Sequence, residues 1–318
     1  MNLIINMHPS KAGPFISGLT VLTIALVIGC GSSATTTPII TPASVPVDST
    51  AIKPILATTV LEVGKQRLAF LLSDSEGIIK TPNSLVTAFY MDGDGTQSTS
   101  RVAEFNLWPY GIRGSYSTYF TFDRAGQWRL EVQVNGTDSY DRVQFDVEVL
   151  KKSLVPGIGN SAPPSLSKIL ADYSSLHEIT TDYSPDPDLY QLTIKDAIEN
   201  HLPSVVVFAS PAFCTSPTCG PQVDAVSELK GLHPDQANYI HVEIYDDPAA
   251  IQGNLDRAEI FSVVEDWGLT SIDGYFNESW TFILDSNGQI DDRFEGFATV
   301  VELDRALRKV MASPPTDK

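Results

Sequence analysis

The fold of this chain is decided by residues 205 to 221, which read VVVFASPAFCTSPTCGP. The five apolar residues at its start are typical of a strand that is buried on both faces of a sheet. Cys214 and Cys219 follow in a loop rich in Ser, Thr and Pro, and we expect Pro221 at the first position of a helix. The stretch therefore predicts a strand, a loop with two cysteines and a helix, with the cysteine pair as the chemical centre.

The residues on either side alternate between helix and strand patterns. Before the cysteine loop, Thr193 is expected to cap a short helix that ends near Asn200. After it, the patterns predict a helix with Val223, Val226 and Leu229 on one face, and then a strand over 239–245. A helix from about Leu255 to Trp267 is expected next. The chain is then expected to form a hairpin of 280–284 and 289–294 across an Asn-Gly turn, and to end in an amphipathic helix opened by a capping box at Thr299.

The length and charge of the chain limit what it can be. Its 318 residues, 42% of them hydrophobic, can bury more than one core, so two domains are expected. The formal net charge of −18 repels the phosphate backbone of nucleic acids. Nucleic-acid binding is therefore not expected.

The N-terminus carries a targeting pattern over residues 1–29. Lys11 provides a basic start, residues 15–27 are mostly apolar, and Val27-Ile28-Gly29-Cys30 closes the segment. This ending resembles a bacterial lipobox, which implies that Cys30 is lipidated and holds the mature chain at the outer face of the cell membrane. An ordinary signal peptide, or an anchor helix followed by a chance cysteine, are the alternatives.

The polar segment after Cys30 fits a tether. Residues 30–55 consist largely of Ser, Thr, Pro and Ala, a composition that buries too little apolar surface to fold. With Cys30 assigned to lipid, Cys214 and Cys219 are left as an even pair in a compartment where disulfides persist. They can bridge to each other, and intermolecular bonding is the other option.

Residues 56–150 follow the two-residue period of strands, with turn signals between the runs. Many short strands without a helical pattern predict an antiparallel sandwich. Residues 122–132, FDRAGQWRLEV, resemble a run found in immunoglobulin-like domains of bacterial envelope proteins. The segment contains no histidine, and its Asp-Gly-Asp-Gly turn departs from a calcium loop at Gln97 and Ala103. We interpret this domain as a scaffold or interaction module.

A linker over 151–164, rich in Pro and Gly, separates this domain from a second one over 165–318. The second domain resembles the thioredoxin-like superfamily, because a strand ending at Phe208 leads into a cysteine motif and a helix, and a ββα unit closes the chain. The resemblance implies that Cys214 attacks a disulfide and Cys219 resolves the mixed disulfide. Cys219-Gly220-Pro221 also resembles the start of the thioredoxin CGPC motif, which would place Cys219 at the helix cap instead.

Two departures from that family appear in the sequence. Four residues, rather than two, separate the cysteines. Where thioredoxin-like proteins place a cis-proline facing the cysteines, this chain has Glu278-Ser279-Trp280, so we expect a trans peptide and an altered substrate-docking loop. Glu243 on the predicted central strand is a candidate proton shuttle.

Together these features predict a multidomain protein, an all-β immunoglobulin-like sandwich followed by an α/β thioredoxin-like domain. We expect a membrane-anchored thiol-disulfide oxidoreductase or redox sensor that acts on envelope proteins with thiols or disulfides and needs no cofactor. A non-enzymatic binding module with a structural disulfide is the alternative. A third, a Sco-like copper chaperone, would need a histidine beside the cysteines, and His241 is the one histidine on a predicted sheet strand.

Overall fold

The computed structural model describes residues 52–92, 98–109, 111–134, 141–272 and 278–312. All of these residues belong to one compact unit. The predicted signal segment, the lipobox with Cys30 and most of the tether lie outside the described residues. No helix in the described ranges is long and apolar enough to cross a bilayer.

The N-terminal half forms a nine-stranded sheet that is antiparallel except where β2 lies parallel to β9. Its hydrogen-bonded order is β1-β3-β7-β6-β5-β8-β9-β2, with β4 paired to β3. The predicted all-β character is confirmed, but the strands form one continuous curled ladder rather than two separate sheets. The strands are β1 (Lys53–Leu56), β2 (Leu61–Glu62), β3 (Gly64–Asp74), β4 (Gly77–Ile78), β5 (Asn83–Tyr90), β6 (Ser98–Leu107), β7 (Gly114–Phe122), β8 (Gly126–Val134) and β9 (Asp141–Leu150).

The curled sheet encloses an aromatic and aliphatic core. Phe122 and Trp128, which flank the predicted hairpin, pack edge to face with ring centroids 5.1 Å apart. Gly126 between them has φ of +126°, a backbone conformation that favours glycine, so the tight turn depends on that residue. The predicted extent of the tether is wrong at its end, because Lys53–Leu56 pairs with β3 over Phe70–Ser73. Apolar residues at 55 and 56 make that pairing favourable.

The segment between the two sheets is packed rather than free. Val155 and Ala162 are buried, and the Ser153 amide donates to Glu62 Oε2 at 2.7 Å. Ser161 forms a bridge with Gln289 of the second sheet. Three short 3-10 turns follow, over Leu170–Asp172, Leu176–Glu178 and Pro187–Tyr190.

The C-terminal half forms a four-stranded sheet with the order β11-β10-β12-β13. Strands β10 and β11 are parallel, and the other two neighbouring pairs are antiparallel. The strands are β10 (Ser204–Ala209), β11 (Asn238–Glu243), β12 (Trp280–Leu284) and β13 (Ile290–Glu295), and the helices are α1 (Ile194–Glu199), α2 (Cys219–Leu232), α3 (Pro248–Ile251), α4 (Ser262–Asp266) and α5 (Val300–Met311).

Strand β10 is buried on both faces, as its sequence predicts. Val205, Val207 and Ala209 belong to the core that also contains α2 and α5. Val206 and Phe208 belong to the opposite core, which contains α1, α4 and Trp267. The alternation follows from the two-residue period of a strand, and it places the end of β10 between two rigid layers.

Three of the four predicted helices are present, and one is not. The capping boxes at Thr193 and Thr299 are both present, and they start α1 and α5. The predicted helix over 255–267 is instead a 3-10 turn at Leu255–Arg257 followed by the short α4. Between them Ile260 bridges to Tyr245, because the backbone of residues 259–261 bonds to the end of β11. This long-range pairing overrides the local helical pattern.

Charged residues that are buried or nearly buried join the two halves of the chain. We call this set the ionic seam: Glu62, Arg67, Asp292, Arg293, Glu295 and Glu302. Arg67 Nη2 lies 2.8 Å from Glu302 Oε1. Arg293 donates to Gln66 at 2.9 Å and lies 3.7 Å from Glu62.

The carboxylates of the ionic seam also bond across the two sheets. Glu295 accepts from the Thr59 and Val60 amides at 2.7 and 3.3 Å. Tyr119 donates to Asp292 at 2.9 Å. Buried charges must be paired to be tolerated, so the seam fixes how the sheets meet.

Candidate active site

Cys214 and Cys219 form a disulfide with a sulfur–sulfur distance of 1.99 Å and a Cα–Cα distance of 5.9 Å. The predicted pairing is confirmed, and it is intramolecular. Cys214 is half-buried, whereas Cys219 is fully buried in the core behind α2. A reagent that approaches from solvent therefore meets the sulfur of Cys214 first.

Helix α2 begins at Cys219, two residues earlier than predicted, so Pro221 is its third residue rather than its first. Thr218 is the N-cap, yet its side chain caps no backbone N–H, and the first turn contains no acidic residue. Backbone N–H groups at a helix start and the positive end of the helix dipole stabilise a negative charge at this position. A thiolate of Cys219 would lie at that end of the helix.

Glu278 holds the loop between the two cysteines. Its Oε2 accepts from Ser216 Oγ at 2.6 Å and from Thr218 Oγ1 at 3.2 Å, and the two hydroxyls lie 2.6 Å apart. The Thr218 hydroxyl donates to Glu278 and accepts from no backbone N–H of α2. Burial raises the pKa of Glu278, and the two hydroxyl bonds oppose that rise. Of the predicted docking loop, this residue is the one that reaches the disulfide loop.

The other two residues of the predicted docking loop point elsewhere. The peptide bond that joins Glu278 to Ser279 is trans, as predicted. Ser279 is buried, and its hydroxyl has no hydrogen-bond partner among the described residues. Trp280 begins β12 and stacks on Phe282 in the core on the face of the sheet opposite to Cys219. Trp280 is thus part of the core.

Hydrogen bonds through Thr181 connect Glu243 to the loop before Cys214. Its carboxylate accepts from the Thr181 amide at 2.8 Å and from the Thr181 hydroxyl at 2.7 Å. The same hydroxyl accepts from the Ala212 amide at 3.2 Å. The role of Thr181 could not be predicted from the sequence, because only the long-range contact of its segment with Glu243 of β11 brings it to the loop.

His241 is held by the protein on both ring nitrogens. Nε2 donates to the Ala209 carbonyl at 3.0 Å, so Nδ1 of the neutral ring accepts from the Tyr190 hydroxyl at 2.6 Å. Burial lowers the pKa of His241. Its nitrogens are thus occupied, and within the described ranges no three His, Cys, Asp or Glu residues are grouped to hold a metal ion. His241 does not serve the predicted copper alternative.

A groove of about 770 Å³ opens beside the disulfide loop, and we call it the interlayer groove. One wall comes from the nine-stranded sheet and includes Ile55, Leu71, Ile78, Trp108 and Arg113. The other wall comes from the four-stranded half and includes Thr215, Ser216, Thr218, Glu278 and Phe297. Trp108 also packs against the core cluster that contains Cys219. The two halves of the chain therefore build this groove together.

Comparison with known proteins adds little to this geometry. No protein-family model matches the sequence, and no curated protein matches it. Among solved structures, the chain is similar to a thiol:disulfide interchange protein of the thioredoxin family from Chlorobium tepidum TLS. The match has 12% identity and a TM-score of 0.29, and it covers 48% of this chain and 99% of the other. A TM-score this low does not establish a shared fold.

Proposed function

We propose that the chain exchanges thiols and disulfides through Cys214 and Cys219. The observation that carries this proposal is the disulfide itself, which joins the half-buried Cys214 to the fully buried Cys219 at the start of α2. The order β11-β10-β12-β13, with the cysteines between the central strand and a helix, supports a thioredoxin-like arrangement. The nine-stranded curled sheet is proposed to be an immunoglobulin-like domain.

The oxidised pair can accept two electrons in two steps. A substrate thiolate attacks Sγ of Cys214, the bond to Cys219 breaks, and Cys219 leaves as a thiolate at the positive end of α2. A second substrate thiol then attacks the mixed disulfide as a thiolate and releases Cys214. The substrate becomes a disulfide, and two electrons and two protons remain on the cysteine pair. With a reduced pair the same steps run in reverse and reduce a substrate disulfide.

We further propose that the chain works at the extracytoplasmic face of the cell membrane, on envelope proteins. The lipobox-like residues ending at Cys30 support the anchor, and a stable disulfide suits an oxidising compartment. Labelling with radioactive palmitate in the bacterial host tests the anchor. Wild type should incorporate label, and Cys30→Ala should not.

A thiol titration combined with an insulin-reduction assay tests the exchange activity. We expect the wild-type pair to be reduced by millimolar glutathione and the reduced protein to accelerate insulin precipitation by dithiothreitol. Cys214→Ser should lose this acceleration, and Cys30→Ser serves as the control that keeps both active-site cysteines. A pair that stays oxidised under these conditions would identify the disulfide as structural and contradict the proposed exchange.

A further inference from the structure

The wall of the interlayer groove that comes from the nine-stranded sheet is apolar, and its edge at β1 is exposed to solvent. Along β3, Phe70 and Leu72 face the core of the curled sheet, while Ala69 and Leu71 face the groove. Ile55 on β1 lines the same wall and is 49% exposed. An apolar surface left open beside a reactive pair indicates a binding function.

We propose that this groove binds an extended segment of a partner polypeptide, with apolar side chains against the nine-stranded sheet and a carboxylate facing Arg113. The proposal rests on the exchange function and names its substrate class. The partner's sulfur would then lie at the loop between Cys214 and Cys219. The nine-stranded sheet would thus determine which proteins react.

An extended polypeptide fits because of the strand that borders the groove. β1 is the terminal strand of its sheet, with a ladder to β3 on one side and no other ladder among the described strands. Ile55, Leu56 and Ala57, consecutive residues at its end, all line the groove. An edge strand offers backbone donors and acceptors to an added strand, and the adjacent apolar wall receives alternate side chains.

The charges around the groove favour an acidic partner segment. Arg113 is exposed, and its guanidinium has no acceptor among the described residues. The two carboxylates of the groove are already occupied, because Glu278 accepts from Ser216 and Thr218, and Glu295 accepts from Thr59. Among the charged side chains that line the groove, Arg113 is therefore the one that can pair with a ligand. A negatively charged group on the ligand would complement it.

Binding of two labelled peptides to the oxidised protein tests the proposal without requiring any redox reaction. The probes are fluorescein-labelled Val-Leu-Ser-Val-Phe-Glu and its Lys-ended counterpart, measured by fluorescence anisotropy at low ionic strength. Wild type should bind the Glu peptide about five-fold more tightly than the Lys peptide. Arg113→Gln should remove that preference, and Ile55→Thr should weaken both peptides about three-fold. Both side chains are exposed, so the variants should fold.

Two exposed positions outside the groove serve as matched controls, namely Val102→Thr on β6 and Arg129→Gln on β8, which should bind like wild type. Equal affinity for the two peptides in wild type, absence of saturable binding, or an unchanged preference in Arg113→Gln would overturn the groove assignment. Peptide binding with the expected preference, in a protein that fails to exchange thiols with glutathione, would support the groove and reject the exchange function instead.

Discussion

The ionic seam and the interlayer groove lie between the same two sheets, yet they differ in chemistry. In the seam, charged side chains bond between the two halves of the chain, as in the Arg67–Glu302 pair. The groove is open, lined mainly by apolar and hydroxyl side chains, and bordered by the disulfide loop. The difference shows that the seam holds the two sheets together, so the groove on the other side of their contact can bind a ligand.

Removing a buried cation should give the largest effect on the seam. Arg293→Met leaves the carboxylates of Glu62 and Glu295 buried without their cation. We expect a loss of about 3 to 5 kcal/mol in the free energy of unfolding, measured by urea denaturation. Arg129→Met removes an exposed pair with Asp146 and should cost less than about 1 kcal/mol. Equal losses in the two variants would show that the seam does not hold the sheets.

The seam should also make stability depend on pH through Glu295. Burial raises the pKa of Glu295 to about 7, and the bonds from Thr59 and Val60 oppose that rise. The folded state then holds a proton that the unfolded state has lost above about pH 4.5. Protonated Glu295 therefore contributes roughly 2 to 3 kcal/mol to the free energy of unfolding. This contribution is present at pH 5 and declines as the pH rises through 7.

Glu295→Gln should remove that part of the pH dependence. Urea denaturation between pH 5 and pH 8 measures it, with wild type losing stability as the pH rises and the variant losing less. Glu265→Gln, an exposed position on α4, is the control and should follow the wild-type curve. The assignment of this pH dependence to Glu295 would be contradicted if the free energy of unfolding of wild type rose with pH over this range and that of Glu295→Gln rose in the same way.

On the groove side, reduction of the disulfide should have a smaller effect on stability. The bridge closes a short loop, with a sequence separation of five residues, so its loss should cost about 2 kcal/mol. Urea denaturation with and without a phosphine reductant measures this difference. Cys214→Ser should be insensitive to the reductant. If reduction unfolds the whole protein, the groove side would be as structural as the seam.

The smallest expected effect concerns Glu278. When it is ionised, its charge at the disulfide loop repels an incoming thiolate, and one charge at this range is worth on the order of 1 kcal/mol. Glu278→Gln should therefore increase the rate of disulfide reduction by glutathione about three- to ten-fold at pH 8, and less at pH 5, where glutamate is more protonated. Stopped-flow measurements across this range test it, with Glu265→Gln as the control. An equal change at every pH would indicate a steric role.

Sequence patterns predicted the elements whose determinants are local. The capping box at Thr299, the hairpin of β12 and β13, and the buried strand β10 are each set by residues within one turn or one strand. The start of α2 was misplaced by two residues, and its cap residue, Thr218, bonds to Glu278 instead of to the helix backbone. That partner lies 60 residues away in sequence.

The seam and the groove could not be predicted, because they depend on contacts between residues far apart in the chain. One signal was available: the run Leu68-Ala69-Phe70-Leu71-Leu72 is apolar at every position, whereas a strand with a solvated face alternates. All five residues are buried; Leu68, Phe70 and Leu72 belong to the core of the curled sheet, and Ala69 and Leu71 line the groove. The positions of Arg113 and Glu278 at the same groove left no pattern in the sequence.

Glu302 has a consequence for the order in which the protein assembles. One oxygen of its carboxylate accepts from the Thr299 amide at the start of α5, and the other accepts from Arg67 in β3. Because synthesis proceeds from the N-terminus, Arg67 and both cysteines of the disulfide are made before residue 302. The cysteine pair can thus oxidise while the two sheets are still undocked. The Arg67–Glu302 contact that holds the sheets together can form only after α5 has been synthesised.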